Sequence, residues 1–412
     1  MSVDRFDLEQ LLHPISCDEF FRTFWEQKPL AIHRNDPGYF AGLFSLRDVD
    51  DVIAFTRPKF VEPADFLPEP PSAARYVQGW LAEDEPSPPV IYPGVSEVHQ
   101  AFERGKTVIL LSMHYRWPAV AALARHLDGF FGCPVHINLY LTPKGAQGFS
   151  THHDGHEVFV LQLEGTKHWR FYGPARELPL ADEDGPVAKD QLGPPTQEAF
   201  VQPGDVLYMP RGHVHEAFTS DTLSMHLTVG IKVYRWVDLL REALDAVSRK
   251  DVRFRHSLPP GLLIHGKVTE ELTDQFHDLL DTFAESTRLE EAIHRLGNGL
   301  FRKLGTLPAN YFSARADAER LQLDSVVERA PGTVCRVIEG DGWAGIEYPG
   351  QRVDGPSKIA SALRFMTRTP RFVVQALPDD LTSDAKLTLV RRLVRTRFLI
   401  LVPPDGPPAP GS

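Results

Sequence analysis

The chain has 412 residues, 42% of them hydrophobic, so it is long enough for two or three domains with cores of their own. Its formal net charge of −11 argues against a general nucleic-acid binder and favours a basic partner. It contains no run of about 18 apolar residues, so we expect no membrane-spanning helix.

The N-terminus and the cysteines both indicate a reducing compartment. Residues 1–12 have no basic region followed by an apolar core, which argues against a signal peptide. Cys17, Cys133 and Cys335 have neither metal-binding spacing nor the pattern of a disulfide framework. We therefore expect a cytoplasmic protein.

Residues 1 to about 130 mix predicted helices with loops. Aromatic residues at helical spacing in 18–25 predict core contacts, and the apolar run 119–126 predicts a helix that leads into the next region. Residues 63–93 are rich in proline and predict an extended surface excursion.

Residues 133–233 have the pattern of a barrel. Short apolar strands alternate with glycine and proline turns, which is typical of a double-stranded β-helix. The acidic segment 178–186 interrupts this pattern. We expect it to overhang one mouth of the barrel, where it is a candidate substrate-contacting loop.

After the barrel the hydrophobic period becomes helical. Residues 236–247 predict an amphipathic helix, and 268–304 predict one or two more. In the last part of the chain we predict helices at 359–366, 372–377 and 384–395. They precede a predicted strand at 398–402, and these helices and the strand together resemble a small winged-helix module. The proline-rich tail after Val402 is expected to be disordered.

The last predicted helix is basic. Its cations could read a DNA groove, but the acidic chain has no flanking basic arm, and fold does not imply function. We therefore do not expect direct DNA binding. The cations are Lys386, Arg391, Arg392 and Arg395, with Arg397 just after them.

The barrel region carries the most specific chemical pattern. His152-x-Asp154 comes just before a strongly apolar run, and His215 follows a later Pro-Gly-Asp turn and strand. Residues i and i+2 of a strand share a face, so His152 and Asp154 can reach one metal. Two imidazoles and one carboxylate are the ligand set of a non-haem Fe(II) oxygenase. Three protein ligands leave positions open for a co-substrate and dioxygen.

Several other histidines compete for a role at this site. His213 is a minor alternative to His215, and His153 is expected at the pocket rim or behind the metal ligands. His226 is predicted to be a hydrogen-bonded barrel histidine, with contact to co-substrate or metal-bound water as the alternative. We expect His156 and His168 on the barrel surface or in a substrate groove.

This stretch resembles the ribosomal oxygenases, which are JmjC-type 2-oxoglutarate hydroxylases of the cupin family. The N-terminal segment 21–30 is also similar to the opening of that family. The matching elements are Asn138-x-Tyr140, Gln147-Gly-Phe149, His152-x-Asp154, Phe159-Val-Leu-Gln162, Glu164-Gly165, Lys167, Trp169, Pro203-Gly-Asp205 and Pro210-Arg-Gly-x-x-His215.

The resemblance implies an α+β fold with three parts. These are a JmjC-type jelly-roll (cupin) domain at 1–235, a helical dimerisation region at 236–325 and a winged-helix-like domain at 326–412. We accordingly expect a homodimer.

The resemblance also implies roles for individual residues. His152, Asp154 and His215 would bind Fe(II), and Lys167 would pair with the distal carboxylate of 2-oxoglutarate. Asn138, Tyr140 and Thr151 would be the other residues near the co-substrate. Arg211, outside this set, is expected to serve as a structural partner for an anion at its turn.

The implied activity is hydroxylation, using 2-oxoglutarate and dioxygen, of an arginine or histidine in a protein, most simply a basic ribosomal protein. The same chemistry on a ribosomally made peptide natural product or a small metabolite is an open alternative. So is N-methyl-lysine demethylation, which releases formaldehyde. A non-enzymatic winged-helix regulator with a relic barrel is the third.

Overall fold

Two mainly antiparallel sheets form the centre of the computed structural model, which describes residues 6–56, 59–61, 73–77, 95–304 and 311–403. The strands of these sheets are β1 (Leu30–Ile32), β2 (Lys59–Val61), β3 (Ala73–Val77), β4 (Thr107–Leu110), β5 (Val135–Thr142), β6 (His152–His153), β7 (Glu157–Gly165), β8 (Lys167–Pro174), β9 (Gly185–Pro186), β10 (Gln197–Val201), β11 (Val206–Met209), β12 (His213–Phe218) and β13 (Ser224–Ile231). The larger sheet has the order β1-β11-β7-β13-β5-β4-β3-β2, and the smaller β10-β8-β12-β6-β9. Together they make the predicted jelly-roll barrel.

Strand β7 is buried on both faces, which explains its continuous apolar sequence. Phe159 and Leu161 belong to a core shared with the N-terminal helices, whereas Val158 and Val160 pack with side chains of the smaller sheet. Successive residues of a strand point to opposite faces, so one strand serves both cores.

Helices cover the outer face of the larger sheet. They are α1 (Leu8–Leu12), α2 (Cys17–Thr23), α3 (Leu46–Thr56), α4 (Val95–Glu103) and α5 (Pro118–Phe131). Phe20 of α2 is fully buried, and its ring meets Tyr208 edge-on with 4.8 Å between centroids. The structure thus confirms the core role of the early aromatics and the helix predicted at 119–126.

The proline-rich segment 63–93 lies outside the described residues except for β3, which pairs in parallel with β4. The tail from residue 404 also lies outside them. Within the described part of the chain, no helix has the length and hydropathy needed to cross a bilayer.

A helical region follows the barrel. Its helices are α6 (Trp236–Lys250), α7 (Leu262–His265), α8 (Glu270–Ser286), α9 (Leu289–Lys303) and α10 (Tyr311–Arg320). The prediction of a helix at 236–247 is confirmed, and 268–304 contains two. Helix α6 packs on α9, where Arg295 forms an ion pair with Glu242 at 3.3 Å.

The C-terminal part has a hydrophobic core of its own. Its elements are β14 (Val326–Arg329), β15 (Arg336–Gly340), β16 (Trp343–Tyr348), β17 (Gln351–Pro356), α11 (Ala360–Arg368), β18 (Arg371–Val373), α12 (Ser383–Arg395) and β19 (Leu399–Leu401). They form two three-stranded sheets, β18-β14-β19 and β15-β16-β17. The helix predicted at 372–377 is wrong: this segment is the end of β18 and a short 3-10 turn. The β-branched Val373 favours pairing with Val326 of β14.

Candidate metal centre

Three side chains, two from paired strands and one from the residue after β6, converge inside the barrel. His152 on β6 lies directly opposite His215 on β12, and Asp154 follows β6. Their potential ligand atoms all lie within 4.8 Å of one another, and Asp154 Oδ2 is 3.7 Å from His215 Nε2. The arrangement brings together the three residues that the sequence predicts as ligands and could hold one metal ion.

Backbone carbonyls orient both imidazoles of this cluster. The Nδ1 atom of His152 is 2.8 Å from the Ser150 carbonyl oxygen, and that of His215 is 3.0 Å from the His213 carbonyl oxygen. A carbonyl oxygen only accepts hydrogen bonds, so Nδ1 carries the proton in each ring. This orientation leaves each Nε2 as the atom that can bind a metal, which is the usual supporting arrangement of metal-binding histidines.

The charge states of the cluster also suit a metal. Burial, reinforced by His152, lowers the pKa of His215 to about 4, so this imidazole is neutral near pH 7. Burial alone would raise the pKa of Asp154, but the surrounding histidines, His156 foremost, hold it below its usual value. A neutral imidazole and a carboxylate are the forms that bind metals.

His213 does not join the cluster. It is separated from His215 by a register irregularity on β12, and only its carbonyl oxygen supports the site. The sequence left His213 open as a ligand; the structure corrects this, because the pairing of β12 with β6 places His215 opposite His152.

The cluster opens into a cavity of about 430 Å³. On β5, Ile137 packs in the helix-covered core, whereas the alternate residues Asn138 and Tyr140 line the cavity. On β13, His226 and Thr228 line it in the same way. Because successive residues of a strand point to opposite faces, one set of side chains packs in the core and the other lines the cavity.

Lys167 is a buried amine in the wall of this cavity. Its side chain is only 4% exposed, and Nζ donates a hydrogen bond to Thr142 Oγ1 at 3.0 Å. Burial lowers its pKa to about 7. Within the described ranges no carboxylate forms an ion pair with this amine. An ammonium group in such a place is poised for an anionic ligand.

The turn before Lys167 requires glycine. Gly165 has a φ of +59°, and a Cβ atom there would lie 1.7 Å from the Leu223 carbonyl oxygen. A side chain at this position would force β8 away from the neighbouring loop and displace Lys167.

The remaining predicted site residues fall into different places. His153 lines the cavity next to His152. His226 is buried, stacks on Tyr140 with ring centroids 5.1 Å apart, and has no hydrogen-bond partner at Nδ1. Thr151 is absent from the cavity wall, and its hydroxyl donates to the Val187 carbonyl oxygen at 2.8 Å.

The acidic loop forms part of the site, as the sequence suggested. Its strand β9 pairs with β6, with His153 opposite Gly185, and Asp184 lines the cavity. Sequence reasoning misses His136, which also lines it. The signal was present, because His136 shares the alternate positions of β5 with Asn138 and Tyr140.

A family model for the JmjC domain matches residues 109–239. Mouse ribosomal oxygenase 2 is 31% identical over 312 residues, which cover 71% of this chain and 64% of the mouse protein. The bifunctional lysine-specific demethylase and histidyl-hydroxylase NO66 of Culex quinquefasciatus is 30% identical over 299 residues, 68% of this chain and 44% of that protein. The chain therefore spans less than two thirds of the length of these relatives.

Solved structures share the fold over most of the chain. The structure of E. coli ycfD has a TM-score of 0.57 at 16% identity and covers 94% of this chain and 98% of its own. A complex of YcfD, a ribosomal oxygenase from Escherichia coli, with cobalt and 2-oxoglutarate has a TM-score of 0.53 with the same identity and coverage.

Proposed function

Because this chain carries a JmjC domain and is a relative of the ribosomal oxygenases, we propose that it is a 2-oxoglutarate-dependent oxygenase. Its substrate would be an arginine or histidine side chain of a protein, most simply a ribosomal protein. The observation that carries this proposal is the convergence of His152, Asp154 and His215 in a cavity that also holds the buried amine of Lys167.

His152, Asp154 and His215 are assigned to Fe(II). Two imidazoles and one carboxylate fit this ion and leave coordination positions free. Bound Fe(II), with 2-oxoglutarate and dioxygen, would supply the oxidising power to insert one oxygen atom into a C–H bond.

Lys167 is assigned to the distal carboxylate of 2-oxoglutarate. Its Nζ has Thr142 as a hydroxyl partner and retains donors for an anion. Asn138 and Tyr140 line the same cavity, and the amide of Asn138 is held by a hydrogen bond from the Ser112 backbone N–H at 2.9 Å. Thr151 acts indirectly by holding the loop at Val187.

The apolar part of the cavity wall would exclude water. Val158, Trp169 and Met209 line the cavity and belong to the core between the two sheets. Removing water strengthens the hydrogen bonds and charges inside the site and suppresses side reactions.

We further propose the division 1–235, 236–325 and 326–412, which is supported by the change from β13 to α6 and from α10 to β14. The middle region is assigned to homodimer formation. Leu263 and Ile264 on α7 are 86% and 84% exposed, and Trp236 and Phe276 are also exposed. A group of exposed apolar side chains such as these favours burial against a second protein surface.

The last region is proposed as a winged-helix-like module without direct DNA binding. Three of the four cations of α12 make internal contacts: Lys386 is buried beside Asp379, Arg391 donates to the Leu321 carbonyl oxygen, and Arg392 donates to that of Asp354. A groove-reading helix would instead present its cations to phosphates and bases.

N-methyl-lysine demethylation remains an alternative, because the NO66 relative is named for both activities. It would release formaldehyde. A peptide natural product or metabolite as substrate would leave the metal chemistry unchanged. A regulator with a relic barrel would bind DNA tightly and fail to bind 2-oxoglutarate.

Mass spectrometry of ribosomal proteins from cells with and without this gene tests the proposed substrate. We expect one oxygen atom to be lost from a single ribosomal protein in the deletion strain. Wild-type protein should restore it, and the Asp154→Ala variant should not. Identical masses in all strains would refute a ribosomal substrate.

A further inference from the structure

A buried carboxylate stands directly behind one of the proposed metal ligands. On β12, His215 lines the metal cavity, and the next residue, Glu216, points to the opposite face of the smaller sheet. Glu216 is only 2% exposed. A carboxylate is costly to bury unless cations and hydrogen-bond donors surround it, so its partners are the groups that this side chain holds together.

Four side chains turn toward Glu216. Lys189 Nζ lies 3.0 Å from each carboxylate oxygen, the Tyr172 hydroxyl donates at 2.5 Å, and the Gln147 amide donates at 3.2 Å. Arg170 is 3.9 Å away. Arg170 and Tyr172 belong to β8, which the sheet already fixes, whereas Gln147 and Lys189 lie outside the strands of this sheet. Glu216 therefore ties two outlying segments to the barrel.

Lys189 belongs to the chain that continues from the acidic loop. Residues 184–186 of that loop line the metal cavity, and Lys189 follows them in a short 3-10 turn. None of the residues 181–198 is buried, so no hydrophobic core fixes this part of the cavity wall. Segments with few buried contacts open locally at low free-energy cost. The position of the loop therefore depends on polar attachments.

The attachments of this loop follow one another closely. Strand β9 pairs with β6, and the Val187 N–H donates to the Thr151 carbonyl oxygen at 2.9 Å. Two residues later comes the ion pair of Lys189 with Glu216. The lysine side chain is 64% exposed and the carboxylate 2%. The carboxylate is thus the fixed end of the pair, and the cation reaches it from the loop.

We propose that Glu216 is a positioning residue that acts through Lys189: it holds the acidic loop against the barrel, so that residues 184–186 complete the cavity wall when the substrate enters. The inference rests on the proposed oxygenase function, because it requires the substrate to meet the metal in this cavity. Apparent substrate affinity scales with the fraction of molecules in which the loop is in place. The co-substrate site at Lys167 and Asn138 lies on strands and does not depend on the loop.

Hydrogen exchange of the purified full chain tests the hold on the loop without any turnover. The variants are Lys189→Met, the conservative Lys189→Arg, Glu216→Gln and the double variant Lys189→Met with Glu216→Gln. The control is Lys250→Met, which removes a lysine of similar exposure from its ion pair with Glu291 in the helical region. We expect Lys189→Met to speed amide exchange in residues 183–188 about fivefold, the upper range for an ion pair with one exposed partner.

The other variants identify the pair as the cause. Lys189→Arg should restore slow exchange, and the double variant should exchange no faster than either single variant, because both remove the same interaction. Kinetics give the functional readout. The concentration of a ribosomal-protein mixture that gives half-maximal substrate-dependent succinate formation should rise about fivefold in Lys189→Met. The KM for 2-oxoglutarate should stay within about twofold of wild type, whereas general unfolding would raise both.

Loop exchange in Lys189→Met equal to that of wild type, or equally faster in Lys250→Met, would overturn the inference. Faster loop exchange with an unchanged half-maximal substrate concentration would also overturn it, because the loop would then not serve substrate binding. Loop exchange that depends on Lys189, with no succinate formed by wild type, would support the hold of Glu216 on the loop and refute the oxygenase.

Discussion

At the scale of single residues, Lys167 carries a buried amine that no carboxylate of the described residues pairs with. Its amine is buried with a hydroxyl partner, and its pKa is lowered to about 7. A lowered pKa means that the folded protein without ligand gives up this proton more easily than an exposed lysine does. Binding a carboxylate reverses that preference, because the anion stabilises the ammonium form.

Affinity for 2-oxoglutarate should therefore fall as pH rises. If only the protonated amine binds the carboxylate, affinity is full well below pH 7 and drops about tenfold between pH 6 and pH 8. Calorimetric titration of the Mn(II)-loaded protein across this range checks it, and Lys167→Met should abolish both the affinity and its pH dependence. A pH-independent affinity in wild type would remove Lys167 from the carboxylate site.

Metal affinity should depend on Asp154 and not on barrel histidines outside the cluster. Asp154→Ala removes the only carboxylate among the three clustered residues, and we expect Mn(II) or Co(II) affinity to fall at least about 100-fold, beyond the effect typical of supporting residues. The matched control is His168→Ala, whose imidazole bonds Glu198 away from the cavity and should leave metal affinity intact. Equal loss in both variants would point to unfolding rather than ligation.

The residue scale also shows what sequence alone could predict. The i, i+2 spacing of His152 and Asp154 predicts their convergence, although β6 itself ends at His153 and Asp154 follows it. Lys167 is assigned from resemblance, since an isolated lysine after a turn carries no signal of burial. His136 was missed although it follows the same alternation along β5 as Asn138 and Tyr140, because no ligand motif includes it.

At the scale of elements, a buried ionic network joins the barrel to the N-terminal segment. Arg211, in the turn before β12, donates to Glu157 of β7 at 2.8 Å and forms an ion pair with Glu26. Tyr208 of β11 also donates to Glu157, which is completely buried. The sequence-based expectation that Arg211 pairs with an anion at its turn is confirmed.

Arg211→Met should destabilise the fold by about 3–5 kcal/mol, because it leaves a buried carboxylate without its cation. Burial already raises the pKa of Glu157 to about 6. At pH 5 the folded variant can protonate Glu157, so the loss should be smaller there than at pH 8. Urea unfolding at both pH values measures it, with the exposed ion-pair variant Arg253→Met as control. Equal, small losses in both variants would show that the network contributes little.

Long periodic elements were predictable from sequence and short ones were not. Helices α5, α6, α9 and α12 follow from apolar spacing over two turns or more. Residues 372–377 were misassigned because a short apolar run fits a strand and a buried helix equally well. Pairing with β14 decides the outcome, and that partner lies more than forty residues earlier in the chain.

At the scale of the whole molecule, the helical region after the barrel leaves apolar side chains exposed. We predict that the full chain is a dimer and that Leu263→Glu with Ile264→Glu makes it a monomer, because two buried charges would be unpaired in the interface. Sedimentation equilibrium measures the mass. The control Phe200→Glu places a charge on an equally apolar but barrel-surface position and should leave the dimer intact. A wild-type monomer at micromolar concentration would contradict the prediction.

The order of strands and helices around residue 235 was visible in the sequence, whereas the way they pack was not. The change from strand to helical periodicity near residue 235 marks the end of the barrel. Packing of α6 on α9, and the cavity that this packing forms beside His156, depends on side chains far apart in the chain. Such contacts leave no local pattern from which to predict them.

Incorporation of isotopically heavy dioxygen tests the central claim most directly. Purified protein is supplied with Fe(II), 2-oxoglutarate, labelled dioxygen and a mixture of ribosomal proteins, and the products are analysed by mass spectrometry. The account predicts one labelled oxygen on an arginine or histidine of one protein, formed together with succinate, and none with Asp154→Ala. Wild-type protein that binds Fe(II) and 2-oxoglutarate yet yields neither succinate nor labelled product would contradict it.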